Sequence, residues 1–249
     1  MRRESLYVTR ERKKYWNRVQ FLTYATLGTS EFDSRYRWNP EVGSTGRYID
    51  TDGRIVKQEV VRSQLELVIS GVQSDMVALA VDLQDGNISL QTWYDTFKSQ
   101  VKTMHGVSAS LAKGGWAQMA EEDWQLTKDI TENQMTFLNK FAKGIDDGEV
   151  KLDGNFLRRV DQYVAASRST GEEIRRFSMR DKATHEKRVL GPADHCHTAE
   201  GMEGCWELFK KGWQLFGTLP AIGQTPCRQN CHCRFIYAIF ENGRYKILQ

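Results

Sequence analysis

Apolar residues recur every three or four positions through the middle of the chain, which is the spacing of one face of an α-helix. This pattern predicts four helices, at Val61–Leu83, Trp93–Leu111, Glu121–Ile145 and from Asp153 into the 170s. Ser89 precedes the second helix as a candidate N-cap, and Gly114 follows it as a stop signal. An additional helix with a basic face is expected over residues 7–27.

Two other segments have the pattern of strands joined by tight turns. Arg47–Asp50 and Arg54–Val56 flank a Thr-Asp-Gly turn. Near the C-terminus, Phe235–Phe240 and Arg244–Leu248 flank Asn-Gly. Asn-Gly is the strongest short hairpin signal because a type I′ turn needs a positive φ at both central residues. A β-hairpin is therefore predicted at the end of the chain.

These elements predict a mainly α protein with a helical body of about four to five helices and a small C-terminal β-hairpin module rich in cysteine. Residues 1–46 are expected to form a basic helix and an irregular arm. Residues 47–185 would be the helical body, and residues 186–249 the cysteine-rich module.

Composition places the chain among globular proteins. It has 249 residues, of which 40% are hydrophobic and 27% charged. No continuous apolar run approaches the roughly 20 residues that a bilayer span needs. The first residues lack the apolar core of a signal peptide, so we expect folding in a reducing cytoplasm, where clustered cysteines more often bind metal than form disulfides.

Basic residues are concentrated at the N-terminus. Positions 1–20 contain seven Lys or Arg against two Glu, whereas the whole chain has a net charge of +3. Such an arm can contact nucleic acid or an acidic protein surface. It can equally be the solvated start of a helix, and the sequence leaves both interpretations open.

All five cysteines lie between positions 195 and 233, in the spacing Cys-x8-Cys, 21 residues, then Cys-x3-Cys-x-Cys. Two groups of cysteines joined by a loop are typical of structural zinc, which takes four thiolate or imidazole ligands. The predicted ligands are Cys196, Cys205, Cys227 and Cys233, with Cys231, His195, His197 or His232 as substitutes. Free buried thiols and disulfides formed after cell lysis are the alternatives.

Motifs of catalysis are lacking. The sequence contains no GxGxxG or P-loop fingerprint and no His-Glu-x-x-His. Cys196 lies between two histidines, but sequence neighbours seldom form a nucleophile–base pair, and no acid that would orient the base is identifiable. We therefore expect a protein that is not an enzyme.

The cysteine segment resembles the C-terminal part of the minor head proteins of tailed bacteriophages. The residues that carry the resemblance are His195-Cys196, Cys205, Leu219-Pro220, Gly223, Cys227 and Asn230-Cys231-His232-Cys233-Arg234. The helical part is similar too, at residues 86–93 and 112–116. The chain departs from the family in an insertion, His197–Gly204, and in His232, where arginine is usual.

This resemblance implies a low-copy structural component of the virion. It would be associated with the portal or the capsid interior, with the portal or major capsid protein as partner, and would aid head assembly, DNA packaging or ejection. Its location would be the host cytoplasm during assembly and then the virion head or neck. Packaged DNA is a further expected partner, through the basic N-terminal arm. Neither a membrane nor a small-molecule substrate is expected.

A second hypothesis is a cytoplasmic, zinc-dependent nucleic-acid-binding factor. It needs basic residues gathered on one face beside the cysteine module. The residues available for this are Arg228, Arg234, Arg244, Lys246, Lys210 and Lys211. Binding to duplex DNA that weakens with salt would distinguish this hypothesis.

Overall fold

The computed structural model describes residues 35–43, 46–192 and 194–248. Within these residues, a helical body is followed by a small antiparallel sheet, and this confirms the predicted class. The body consists of α1 (Gln58–Gln84), α2 (Leu90–Lys113), α3 (Glu121–Asp146), α4 (Gly154–Ala165) and α5 (Ser167–Ser178). The predicted N-terminal helix lies outside the described residues.

The helix ends follow local signals in the sequence. The Ser89 hydroxyl accepts the backbone N–H of Thr92 at 3.1 Å and caps α2. Gly114, with φ of 109°, ends that helix in the left-handed region. Asp153 caps α4, because its carboxylate accepts the N–H of Asn155 at 2.8 Å. Caps of this kind satisfy N–H groups that have no partner inside the helix.

The fourth predicted helix is in fact two helices, and this corrects the prediction. The chain turns at Ala166, between α4 and α5. Around the turn, the Ser167 hydroxyl donates to the Val164 carbonyl at 2.8 Å, and the Ser169 hydroxyl donates to the Ala166 carbonyl at 2.7 Å. Serine hydroxyls that bond nearby carbonyls compete with the helical pattern. The apolar spacing continues across the break and hides it from the sequence.

The core of the body is built around aromatic side chains. Trp93 is fully buried, and its ring centroid lies 5.1 Å from that of Phe97, 5.9 Å from Phe141 and 5.6 Å from Phe156. Apolar residues of α1, α2, α3 and α4 complete this cluster. The apolar faces of α1 to α4 therefore share one common core.

Among the described helices, α1 alone is long and apolar enough to cross a bilayer by length and composition. The sequence showed no continuous apolar run long enough for a bilayer span, because polar residues interrupt the apolar ones in α1. A core helix passes the same test, and α1 buries a stripe of residues, from Val61 to Leu83, in the core of the body.

The first predicted hairpin is only partly formed. Strand β2 (Arg47–Asp50) pairs antiparallel with β1 (Tyr36–Asn39), which lies in the range predicted to be irregular. The segment after the turn contributes a single bridge, between Ile49 and Ile55. The Trp38 ring meets the Tyr48 ring edge-on at 5.1 Å. Tyr36 and Trp38 also pack against the core of the body, so β1 is in contact with the helices.

The C-terminal module is a four-stranded sheet, larger than the predicted hairpin. Its elements are β3 (His185–Val189), α6 (Cys205–Lys210), β4 (Gln214–Leu215), β5 (Arg234–Glu241) and β6 (Arg244–Leu248), with strand order β4-β3-β5-β6. The β5–β6 hairpin is confirmed, with φ of 52° at Asn242 and 74° at Gly243. The first strand of the sheet, β3, begins at His185, and the domain boundaries themselves stay a prediction.

The module has a hydrophobic cluster of its own, separate from the core of the body. It includes Cys205, Leu208, Phe235 and Tyr237, together with Met179 at the end of α5. Three of the five cysteines, Cys205, Cys231 and Cys233, are buried in it. The cysteine cluster is thus the centre of the module.

Candidate metal centre

The five cysteine side chains converge on Cys205, which begins α6 and is fully buried. Its Sγ lies 3.6 Å from the Sγ of Cys227 and 3.6 Å from that of Cys231. The cysteines form two groups of three, and within each group all Sγ atoms lie within 4.8 Å of one another. One group is Cys196, Cys205 and Cys227, and the other is Cys205, Cys231 and Cys233. All five thiols are free. This cluster could hold a metal ion.

A small hairpin in the loop between Cys196 and Cys205 brings these two cysteines together. Ala199 and Met202 exchange backbone hydrogen bonds at 3.0 and 2.9 Å across a turn with positive φ at Glu200 and Gly201. Cys205 therefore returns to Cys196, and its N–H donates to the Cys196 Sγ at 3.2 Å. The inserted residues thus do not separate the two cysteines.

A glycine makes this close return possible. A Cβ added at Gly204 would lie 2.3 Å from the carbonyl carbon of His197 and 2.4 Å from the carbonyl oxygen of Cys196. Real Cβ atoms essentially never approach so closely. Gly204 is therefore required by packing, although its φ of −79° suits any residue.

The second group of cysteines is set by a tight turn. A 3₁₀ turn covers Arg228–Asn230, and Arg228 has a φ of 46°. The N–H of Asn230 bonds to the Cys227 carbonyl at 2.9 Å, and the N–H of Cys231 bonds to the Arg228 carbonyl at 3.1 Å. The turn brings the side chains of Cys227 and Cys231 to the same side, against Cys205.

Arg188 of β3 lies beside the sulfurs and is fully buried. Its Nη1 is 3.6 Å from the Cys205 Sγ and 3.9 Å from the Cys231 Sγ. Its Nη2 donates to the carbonyls of Pro220 and Ala221. One guanidinium therefore holds the loop between the two cysteine groups and faces the cluster.

Glu186, two residues before Arg188 on β3, also holds the loop between the two cysteine groups. Its fully buried carboxylate accepts the Leu219 N–H at 3.1 Å and pairs with Arg176 at 2.9 and 2.6 Å. Arg176 belongs to α5 and also donates to the Leu219 carbonyl at 2.8 Å. This network fastens the module to the last helix of the body.

The thiols of the cluster lie beside the Arg188 guanidinium and are coupled to one another. In the described part of the chain no ion pair joins this guanidinium to a carboxylate, although its charge opposes the burial that raises the pKa of Glu173, and the Cys205 and Cys231 sulfurs are in contact with it. Hydrogen bonds from Cys227, Cys231 and Cys233 hold the pKa of the Cys205 thiol well below its ordinary value, and the hydrogen bond with Cys205 raises the pKa values of Cys227 and Cys233. The pKa of Cys231 is about 6: Cys205 raises it, and Cys227 and Cys233 lower it by more. Thiolates are the form of cysteine that binds metals.

The four predicted ligands, Cys196, Cys205, Cys227 and Cys233, all belong to the cluster. Cys231 was predicted only as a substitute, yet its sulfur is as close to Cys205 as that of Cys227 is. The substitute histidines are in neither group: His197 is exposed and bonds Glu207 at 3.0 Å, His232 is exposed, and His195 is half-buried. The ligand set itself stays a prediction.

The sequence did not single out Arg188 or Glu186. The available signal was that these two charged residues lie two positions apart in a short strand, which places their side chains on the same face. In the structure that face is buried. Of the basic residues in the nucleic-acid hypothesis, Lys211 pairs with Glu203 at 2.7 Å and Arg234 lies 3.8 Å from Glu59.

Searches with the whole chain against protein-family models, curated proteins and solved structures give no match in any of the three. The geometry of the cysteine centre therefore carries the functional argument.

Proposed function

We propose that this chain is a non-enzymatic structural protein whose C-terminal module is held together by one zinc ion. In line with its resemblance to minor head proteins, it would serve as a low-copy component of a tailed-phage virion. The observation that carries the zinc proposal is the convergence of five sulfurs on Cys205 beside the buried guanidinium of Arg188.

The distances suit zinc and thiolates. Zn–S bonds of about 2.3 Å in a tetrahedron put the sulfurs roughly 3.8 Å apart. The separations of 3.6 Å from Cys205 to Cys227 and to Cys231 are close to this value. We propose these three as ligands, with the fourth position taken by Cys196 or Cys233.

The role of the ion would be structural. An ion with four thiolate ligands has no open position for water or substrate. The module is small, with one short helix and strands of two to eight residues. Such modules bury little apolar surface, and metal binding supplies much of their folding free energy.

Single Cys→Ser variants test the ligand set, because five sulfurs compete for four positions. Cys205→Ser, Cys227→Ser and Cys231→Ser should each lose the stoichiometric zinc measured by mass spectrometry of the purified chain. Of Cys196→Ser and Cys233→Ser, one should lose it and the other should keep it, which provides a matched control. Retention of zinc by all five variants would refute the proposal.

The virion role needs a separate experiment. Particles from a lysate of the source culture are sedimented and the chain is followed with an antibody. We expect it to travel with DNA-filled heads at a few copies per particle. If it remains in the soluble fraction throughout assembly, the virion role is wrong, whereas the zinc centre is unaffected.

A further inference from the structure

A cleft separates the helical body from the module. Its two parts have volumes of about 470 and 530 Å³, within the range of roughly 300–1,000 Å³ typical of ligand sites. They share Arg62 on α1, Arg175 on α5 and Arg234 at the start of β5. The cleft is therefore one feature, built from both parts of the protein.

The first part of the cleft is strongly basic. Six basic side chains line it, Arg47, Lys57, Arg62, Lys113, Arg175 and Arg234. The one acid in its lining is Glu59.

Ion pairs neutralise only part of this charge. Arg62 and Arg175 share one oxygen of Glu172, at 3.3 and 3.0 Å, and Lys113 pairs with Asp123 at 2.8 Å. Against Glu59, Glu172 and Asp123, the six cations leave an excess of three positive charges.

Arg47 belongs to this excess. No hydrogen bond or ion pair of its side chain occurs among the described residues, and burial lowers its pKa, with Glu59 acting in the opposite direction. Glu59 also lies 3.8 Å from Arg234, so one carboxylate serves two half-buried cations, and a bound anion would offset the remaining cost of burying them.

A buried donor in the same lining also lacks a partner. The hydroxyl of Tyr237, a residue that is 5% exposed, forms no hydrogen bond. Burial raises the pKa of Tyr237 well above its ordinary value, so its hydroxyl keeps its proton and remains a donor. Most buried polar groups in proteins have a partner, and leaving one without costs about 1–3 kcal/mol.

We propose that this cleft binds a small multivalent oxyanion, bearing phosphate or carboxylate groups. Arg47 supplies a charge that Glu59 balances only in part, Arg62 and Arg175 supply guanidinium donors, and the Tyr237 hydroxyl donates a hydrogen bond from the module side. Bidentate guanidinium contacts suit both kinds of oxyanion. The bound anion would bridge α1, α5 and β5, and so couple the module to the body.

The test is calorimetric titration of the full-length chain with pyrophosphate, inorganic phosphate and citrate. We expect saturable binding that weakens with added salt. Tighter binding of pyrophosphate than of citrate assigns a phosphate ligand, and the reverse order assigns a carboxylate. Arg47→Gln should raise the Kd at least tenfold. The matched control is Arg54→Gln, because Arg54 is exposed and paired with Asp52 at 2.9 Å.

Tyr237→Phe separates binding from folding. Its hydroxyl has no partner, so its removal should leave the stability of the anion-free protein unchanged or higher, while it weakens anion binding. The proposal is overturned if none of the three anions binds in the low-millimolar range. It is also overturned if Arg47→Gln and Tyr237→Phe both bind as the Arg54→Gln control does. Neither outcome bears on the zinc centre.

Discussion

Replacement of Arg188 by methionine tests whether the cysteine sulfurs are anionic. The guanidinium is fully buried, lies 3.6 and 3.9 Å from two sulfurs and donates to two loop carbonyls. Methionine retains much of the apolar bulk and removes the charge and the donors. The matched control is Lys187→Met, at the residue that precedes Arg188 in β3. The Lys187 side chain is half-buried, and its ammonium lies over the Phe209 ring, 5.6 Å from the ring centroid.

The expected size of the effect follows from the charges. Zinc with four thiolates has a net charge of −2, and Arg188 is the nearest cation among the described residues. Removal of one partner from a buried, hydrogen-bonded charge pair costs about 3–5 kcal/mol. At roughly 2–4 °C per kcal/mol for a chain of this size, the Tm of the zinc-loaded protein should fall by roughly 6–20 °C. Lys187→Met should stay within about 0.5 kcal/mol of the unmodified chain.

Unfolding by denaturant, with zinc and after chelation, isolates the electrostatic part of the effect. The comparison is made under conditions in which the module of the chelated protein is still folded, so that the variant loses the two carbonyl hydrogen bonds in both states and their contribution cancels in the difference. We expect Arg188→Met to cost more with zinc bound and to weaken zinc affinity. Neutral thiols predict no additional cost with zinc bound, because the guanidinium would then face no anion at the cluster. An equal cost in the two states would refute the reasoning.

Three other predictions concern separate parts of the fold. Burial lowers the pKa of His105 from 6.5 to about 4, so the folded protein keeps it neutral while the unfolded chain protonates it. The free energy of unfolding should therefore fall by about 3 kcal/mol between pH 6.5 and 4, and His105→Gln should remove that step from the pH profile. Gly204→Ala should destabilise the module and reduce zinc affinity, whereas Gly71→Ala, with open space around it, should stabilise α1 by about 1 kcal/mol in a thermal melt. Glu186→Gln should cost about 3–5 kcal/mol in a denaturant titration, because it leaves the largely buried Arg176 with only the more distant Glu173 carboxylate, at 3.9 Å, as an anionic partner in the described residues.

The helical body was predictable because its signals are local. The apolar stripe of α1, the cap at Ser89 and the stop at Gly114 each act within a few residues of their own position. The turn at Ala166 was missed because serine hydroxyls interrupt the helix without changing the apolar spacing. Strand β1 was missed because Tyr36–Asn39 is a short segment that becomes a strand only by pairing with β2, further along the chain.

The cysteine cluster was predictable from spacing, but its internal order was not. Whether Cys231 or Cys233 lies nearer Cys205 depends on the turn at Arg228 and on the packing of α6. The role of Arg188 depends on which face of β3 is buried, and that face is set by contacts with loops more than 30 residues away in sequence. Such long-range contacts leave no local pattern.

X-ray absorption at the zinc edge of the purified full-length chain tests the central claim most directly. The account predicts one zinc per chain, with a single shell of four sulfurs at about 2.3 Å. A shell containing nitrogen at roughly 2.0–2.1 Å would assign histidine ligands in place of Cys231 or its neighbours and contradict the thiolate centre. Freshly purified protein that has no zinc and takes up none when zinc is added would contradict the account as a whole.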